Sequence, residues 1–231
     1  MEKIMHKKYR AVFLDYTGTI AQEESEYIEK VIRHFCTHSD IHEPGKAVAY
    51  VWSQVKRLEK ECYKEKFMTE DAIVDKILED CARDIHLTGD FEWLHCLWQK
   101  HWAYAPAFED VKLFFEHCPL PVYVITNDSA KYVEEAMKDK GLWPAGIISA
   151  DSVRAFKPYP EIFQKALDVC GFHKSEVVHI GDSYASDVEG ARRAGIDAIL
   201  LDRSGTARCP EETIKVSSLA RALELITDSM P

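Results

Sequence analysis

No stretch of the 231-residue chain approaches the run of about 20 apolar residues needed to cross a bilayer. The apolar run Ala11 to Leu14 is also too short for the core of a signal peptide, although the residues before it, Met1 to Arg10, are basic. A CxxC pair is missing. The seven cysteines (Cys36, Cys62, Cys81, Cys96, Cys118, Cys170 and Cys209) are scattered and odd in number, which argues against both a disulfide framework and a zinc ribbon. These absences lead to the expectation of a cytoplasmic protein in a reducing compartment, away from membranes. A basic excess is missing too: 29 Lys and Arg against 39 Asp and Glu leave a net charge of −10. Binding a polyanionic backbone needs clustered cations, so no nucleic-acid partner is expected. No internal repeat or low-complexity tract is found.

What the chain does have is enough apolar material, 46% of its residues, for a full core and a second small domain. The stretch Ala11-Val12-Phe13-Leu14-Asp15-Tyr16-Thr17-Gly18-Thr19 reads as a buried strand that ends in an aspartate. In an open α/β sheet, ligands bind at the carboxyl ends of the strands, and Gly18 frees the backbone to turn sharply there. Asp15 is therefore a candidate nucleophile, the alternative being a simple turn aspartate.

From Gln22 to about Trp102 the apolar residues recur at helical spacing. Tyr27, Ile28, Val31, Ile32 and Phe35 form one set. Val48 to Glu59 form a second, after a break at Pro44-Gly45; Ile73 to Cys81 a third; and Phe91, Trp93, Leu94, Leu97, Trp98 and Trp102 a fourth. Three or four amphipathic helices with short connections make a small bundle. Residues 21–103 carry 11 basic and 17 acidic residues, so most of the net charge lies on this segment, as expected of a solvated outer face.

After Pro106 helix and strand alternate. The pattern predicts helices over Phe108–His117, Ser129–Lys140, Pro160–Cys170 and Val188–Ala194, the last three ended by Gly141, Gly171 and Gly195. It predicts strands at Val122–Ile125, Ile147–Ile148 and Val177–Ile180, and a final one at Ala198–Leu201. Such alternation implies a doubly wound, Rossmann-like parallel sheet of the α/β class, completed by the strand at residues 11–14. The expected domains are a core of residues 1–20 and 104–231, with an all-helical insertion at 21–103.

Each predicted strand is followed by polar residues: Asp15 after the first, Thr126-Asn127-Asp128 after the second, and Gly181-Asp182-Ser183 with Asp187 after Ile180. Parallel strands bring these ends to one edge, and Lys157, just before a predicted helix, can reach the same place. Asp15, Asp182 and Asp187 offer a hard oxygen site suited to Mg²⁺. Thr126, Lys157 and backbone N–H groups can meet the oxygens of a transferring phosphoryl group, a reaction governed by positioning and charge neutralisation. Asp15 would attack phosphorus to give an aspartyl phosphate.

This set resembles the haloacid dehalogenase superfamily. Asp15-Tyr16-Thr17-Gly18-Thr19 matches its first motif, Thr126-Asn127 the second, Lys157-Pro158 the third, and Gly181-Asp182-Ser183 through Asp187 the fourth. The helical insertion is similar to the superfamily's cap domain. The resemblance implies that Asp15 is the nucleophile and that Asp15, the Thr17 carbonyl and Asp182 hold Mg²⁺, with Asp187 acting through water. It further implies that Lys157 neutralises Asp15 and the phosphoryl oxygens, that Thr126 bonds the phosphoryl group, and that Asn127 sits at its rim. The substrate would be a small phosphorylated metabolite.

One residue departs from that pattern. Superfamily phosphatases usually carry a second aspartate two residues after the nucleophile, as acid and then base; here the position is Thr17, whose hydroxyl does not titrate near neutrality. An atypical phosphatase leads the expectations. Alternatives are a phosphonoacetaldehyde-hydrolase-like enzyme with a reactive insert lysine (Lys46 or Lys56), a 2-haloacid dehalogenase, and a weakly active binding or regulatory protein. Glu23 and Glu24 are candidate substitutes for the acid. His34, His38 and His42, spaced by four, are expected to be surface residues rather than metal ligands, and Trp93, Trp98 and Trp102 to be bundle core.

Overall fold

The computed structural model describes residues 9–227; most of the basic stretch Met1 to Arg10 lies outside the described residues. In chain order the elements are β1 (Ala11–Leu14), α1 (Glu26–His38), α2 (Pro44–Glu61), α3 (Glu70–Asp84), α4 (Phe91–Tyr104), α5 (Val111–His117), β2 (Val122–Thr126), α6 (Ala130–Asp139) and β3 (Gly146–Ser149). Then come α7 (Pro160–Cys170), β4 (Val177–Gly181), α8 (Gly190–Arg193), β5 (Asp197–Leu201), β6 (Lys215–Val216) and α9 (Leu219–Thr227).

The strands form one parallel sheet in the order β3-β2-β1-β4-β5-β6, so β1 lies inside it, between β2 and β4. All four residues of β1 are buried, and their alternation decides the layers. Val12 and Leu14 pack with Phe114 of α5, Val133 of α6 and Leu219 of α9. Ala11 and Phe13 point the other way, onto Phe163 of α7 and Ala191 of α8. Helices on both faces explain why these strands read as continuous apolar runs.

Four helices, α1 to α4, are inserted after β1 and share a separate apolar cluster built on Val31, Phe35, Val51, Ile77, Leu94 and Trp98. Their starts are marked by side-chain caps: Ser25 accepts from Ile28 N–H, Thr69 from Ala72 N–H and Asp90 from Trp93 N–H. The chain leaves and re-enters the sheet layer side by side, Gln22 N–H donating to the Pro106 carbonyl at 2.8 Å and Phe108 N–H to that of Ile20 at 3.0 Å. Tyr132, Ala150 and Phe156 of the sheet layer join the insert's cluster, so the two parts share a dry seam.

The structure differs from the sequence reading in four places. Pro44-Gly45 is the first turn of α2 rather than a break before it, because a proline at the first helical position gives up an N–H that has no intrahelical partner there. The helix expected from Phe108 begins at Val111, where Asp110 provides the N-terminal boundary. The helix expected over Val188–Ala194 is instead a wide π-type turn, Tyr184–Glu189, followed by the short α8. Ala198–Leu201 is not the last strand: β6 and α9 follow, β6 having only two residues and hence no readable period.

Candidate active site

The loop that carries Asp15 starts where β1 stops. Asp15 N–H donates to the Ile180 carbonyl of β4 at 2.9 Å, which fixes its backbone to the middle of the sheet, and the residue is 5% exposed. Gly18 follows at φ +85°, a left-handed conformation, and a Cβ there would stand 2.5 Å from Asp182 Oδ2. Only glycine lets the turn pass that close to the second carboxylate.

Lys157 enters from the loop before α7. Its Nζ donates to Asp15 Oδ1 at 2.5 Å and to Asp187 Oδ1 at 2.6 Å, and all three side chains are buried. Asp187 is delivered by the π-type turn, whose extra width returns the chain beneath β4: its Oδ2 accepts from Ser183 N–H at 3.0 Å and its Oδ1 also meets His179 Nε2 at 3.0 Å. Burial opposes the charge on Lys157, but two carboxylates hold its ammonium well above the ordinary lysine range. Burial likewise opposes the charge of Asp187, yet Lys157 and His179 together keep its carboxyl well below the usual range. Burial pushes Asp15 up to about 7, Lys157 opposing and the Asp187 charge reinforcing it.

Asp15, Asp182 and Asp187 present oxygens that all lie within 4.8 Å of one another. Asp182 makes no ion pair among the described residues, and burial together with the charges of Asp15 and Asp187 raises its carboxyl well above the ordinary value. A cation would relieve that repulsion, and the all-oxygen donor set fits a hard divalent ion.

Above these groups lies a cavity of about 510 Å³ between the strand ends and the insert. Its floor includes Asp15, Thr17, Asn127, Asp128, Lys157 and Asp182; its roof includes Trp52, Glu59, Glu70, Trp98 and Trp102. Asn127 spans the two, donating from Nδ2 to Glu59 at 3.0 Å and accepting at Oδ1 from Lys157 N–H at 2.6 Å. Burial pushes Glu59 up to about 7, with the Asn127 amide opposing.

Several sequence-predicted residues therefore meet at one place and others do not. Asp15, Thr17, Asn127, Lys157, Asp182 and Asp187 line the cavity. Thr126 is wholly buried and is not among the lining residues; the hydroxyl expected to face a phosphoryl group donates instead to Asp128 Oδ2 at 2.8 Å. Glu23 lines the cavity, but Glu24 points to solvent. Lys56 lines it as well, whereas Lys46 is an exposed partner of Glu43. Trp98 and Trp102 are both bundle core and cavity wall, while Trp93, expected in the core, is 42% exposed beside His34. His34 and His38 stack on each other, with His34 Nε2 against the Thr88 carbonyl, and His42 lies on the Cys36 carbonyl. Glu59, Glu70 and His179 were missed as site residues. Glu59 sits in the cavity-facing stripe of α2, among apolar positions at helical spacing, and that misplaced charge was the one available signal.

A family model for haloacid dehalogenase-like hydrolases matches residues 9–195, well over half of the chain. The chain belongs to the haloacid dehalogenase-like hydrolases. Among curated relatives of this hydrolase, a phosphoserine phosphatase of Thermus thermophilus is 35% identical over 95 residues, 40% of this chain and 38% of that protein. The (S)-2-haloacid dehalogenase 4A of Burkholderia cepacia is 27% identical over 138 residues, 58% of this chain and 59% of that protein. The chain thus spans well under two thirds of the length of these curated relatives. Among solved structures, the HAD-hydrolase YfnB of Bacillus subtilis, bound to magnesium, superposes with a TM-score of 0.76 at 17% identity, covering 95% of this chain and 99% of that one. That likeness establishes the fold. Among the described residues of this hydrolase no helix is long and apolar enough to cross a membrane.

Proposed function

We propose that this hydrolase is a Mg²⁺-dependent phosphomonoesterase acting on a small phosphorylated metabolite, with α1 to α4 as the cap over its site. The observation that carries the reading is the contact of Lys157 with both Asp15 and Asp187, beside the unpaired Asp182. Asp15 attacks phosphorus as the ester P–O bond breaks, giving an aspartyl phosphate and an alcohol. Water then attacks the phosphorus, releasing phosphate and the free carboxylate. Lys157 holds Asp15 in place and neutralises phosphoryl charge; Asn127, fixed by Glu59 and by Lys157 N–H, lines the rim. Asp15, Asp182 and the Thr17 carbonyl would hold the ion, with Asp187, whose oxygens are already engaged, acting from outside. Bound Mg²⁺ supplies charge neutralisation at the phosphoryl oxygens. The indoles of Trp52, Trp98 and Trp102 in the roof give the reacting centre apolar walls.

The test is phosphate release from an aryl phosphate with Mg²⁺. Wild type turns over and Asp15→Asn falls by at least about 10³-fold, as loss of a nucleophile requires. Activity that survives in Asp15→Asn, or wild type inert across a panel of phosphate esters, defeats the proposal, and the latter favours a binding or regulatory role. A second reading has one observation in its favour: Lys56 of the insert lines the cavity, where a phosphonoacetaldehyde-type hydrolase needs a Schiff-base lysine. Borohydride trapping with phosphonoacetaldehyde labels Lys56 if that reading holds.

A further inference from the structure

With threonine at position 17, the proton for the leaving group has to come from another cavity group. Thr17 Oγ1 donates to Asp128 Oδ2 at 2.9 Å, and Thr126 Oγ1 donates to the same oxygen at 2.8 Å. Glu70, the first residue of α3, lines the same cavity as Asp15, Thr17 and Asp128. Its Oε2 accepts from Ser129 N–H, which anchors this carboxyl of the insert to the start of α6 in the sheet layer.

We propose that Glu70 is the acid and base of this hydrolase, reaching from the insert to do what the residue at Thr17 cannot. It gives its proton to the leaving oxygen as the P–O bond of the substrate breaks. As a carboxylate it then takes a proton from the water that attacks the phosphorus of phospho-Asp15, and both atoms and charge balance over the cycle. The inference rests on the phosphomonoesterase reading. Burial and the facing Asp128 charge raise the Glu70 carboxyl well above its ordinary value, with Glu59 of α2 adding to the effect and Ser129 N–H opposing it. Glu59 is the rival in the same roof, but it is engaged by the Asn127 amide. Glu23 also lines the cavity, yet it is exposed.

The experiment compares kcat/KM for an alkyl phosphate, whose alkoxide needs a proton to leave, with that for 4-nitrophenyl phosphate, whose phenolate does not. In Mg²⁺, Glu70→Gln lowers the alkyl rate relative to the aryl rate by about 10²-fold or more, the usual weight of a general acid. The fall of the wild-type alkyl rate at high pH, where Glu70 loses its proton, disappears in the same variant. Adding Thr17→Asp to Glu70→Gln recovers alkyl hydrolysis. Equal losses on both esters mark a purely structural Glu70 and overturn the inference. So do a selective loss in Glu59→Gln instead and a double variant without recovery. Wild type inert on both esters is a different result, which removes the phosphomonoesterase reading and the inference with it.

Discussion

Replacing Lys157 by methionine tests the electrostatic centre of the site without touching a carboxylate. The ammonium is 3% exposed at its side chain and lies 2.5 Å and 2.6 Å from Asp15 and Asp187. Methionine fills much of the same volume but leaves two buried carboxylates without their cation, and removing one partner from a buried pair costs about 3–5 kcal/mol. Domains have only about 5–15 kcal/mol in all, so the melting temperature should drop by about 10 °C. The sign with pH is also determined. Wild type keeps Asp187 ionised well below the usual range, a contribution to stability present above the unfolded carboxyl value and lost only in strong acid. The variant's folded state instead takes up a proton at a raised pKa, so the gap between the proteins is widest near pH 8 and narrows toward pH 5. Urea unfolding followed by far-UV circular dichroism in EDTA, at both pH values, measures it. A loss under about 1 kcal/mol at pH 8, or an identical gap at pH 5, would refute the assignment of Lys157 as the counter-charge.

Gly18→Ala places a Cβ 2.5 Å from Asp182 Oδ2 at φ +85°; the backbone strain costs about 1–2 kcal/mol, and Asp182 must shift. Calorimetric titration should therefore show weaker Mg²⁺ binding, and unchanged affinity would contradict the role given to Asp182. His101, beside Ser25 Oγ at 2.8 Å, is lowered by burial to about 4. A depressed histidine costs the folded state nothing above its unfolded pKa of about 6.5, and the penalty grows as pH falls toward 4, up to about 3 kcal/mol. His101→Gln removes that slope, so its stability relative to wild type should improve between pH 7.5 and pH 4.5; a constant difference in urea melts would disprove it.

The sheet was legible because each core strand announces itself twice, as an apolar run and as a polar residue at its carboxyl end. Asp15, Asn127 and Asp182 each come directly after the last residue of one of three adjoining strands, β1, β2 and β4, so finding the strands was enough to find the floor of the site. The insert's helices were legible through their period, and α7 matches its expected span, from Pro160 at its first position to the left-handed Gly171 at its end. What failed was short or bent. Two residues of β6 carry no period, and the π-type turn at Tyr184–Glu189 is held by Ser183 and Asp187 rather than by an apolar stripe. Glu70 was hidden for another reason: in sequence it is an acidic residue in the first turn of a helix, where a favourable dipole is explanation enough. Its meaning depends on Asp128, 58 positions away in the chain and unreachable by any local pattern.

The cavity gathers seven carboxylates, Asp15, Glu23, Glu59, Glu70, Asp128, Asp182 and Asp187, with only Lys56 and Lys157 among the lining residues. Their mutual repulsion would be prohibitive if all were bare, so each must be compensated in kind. Lys157 serves Asp15 and Asp187, and the Asn127 amide serves Glu59. Asp182, next to the nucleophile and without an ion-pair partner among the described residues, has a place for a divalent ion. Asp128 is served by the hydroxyls of Thr17 and Thr126, and Glu70 by Ser129 N–H. The lysine and the amide are covalently fixed, whereas the proton we propose on Glu70 can leave with the product alcohol and be regained from water. On that proposal a threonine two residues after Asp15 is compatible with hydrolysis, because the acid–base role passes from the Asp15 loop to the contact between insert and core.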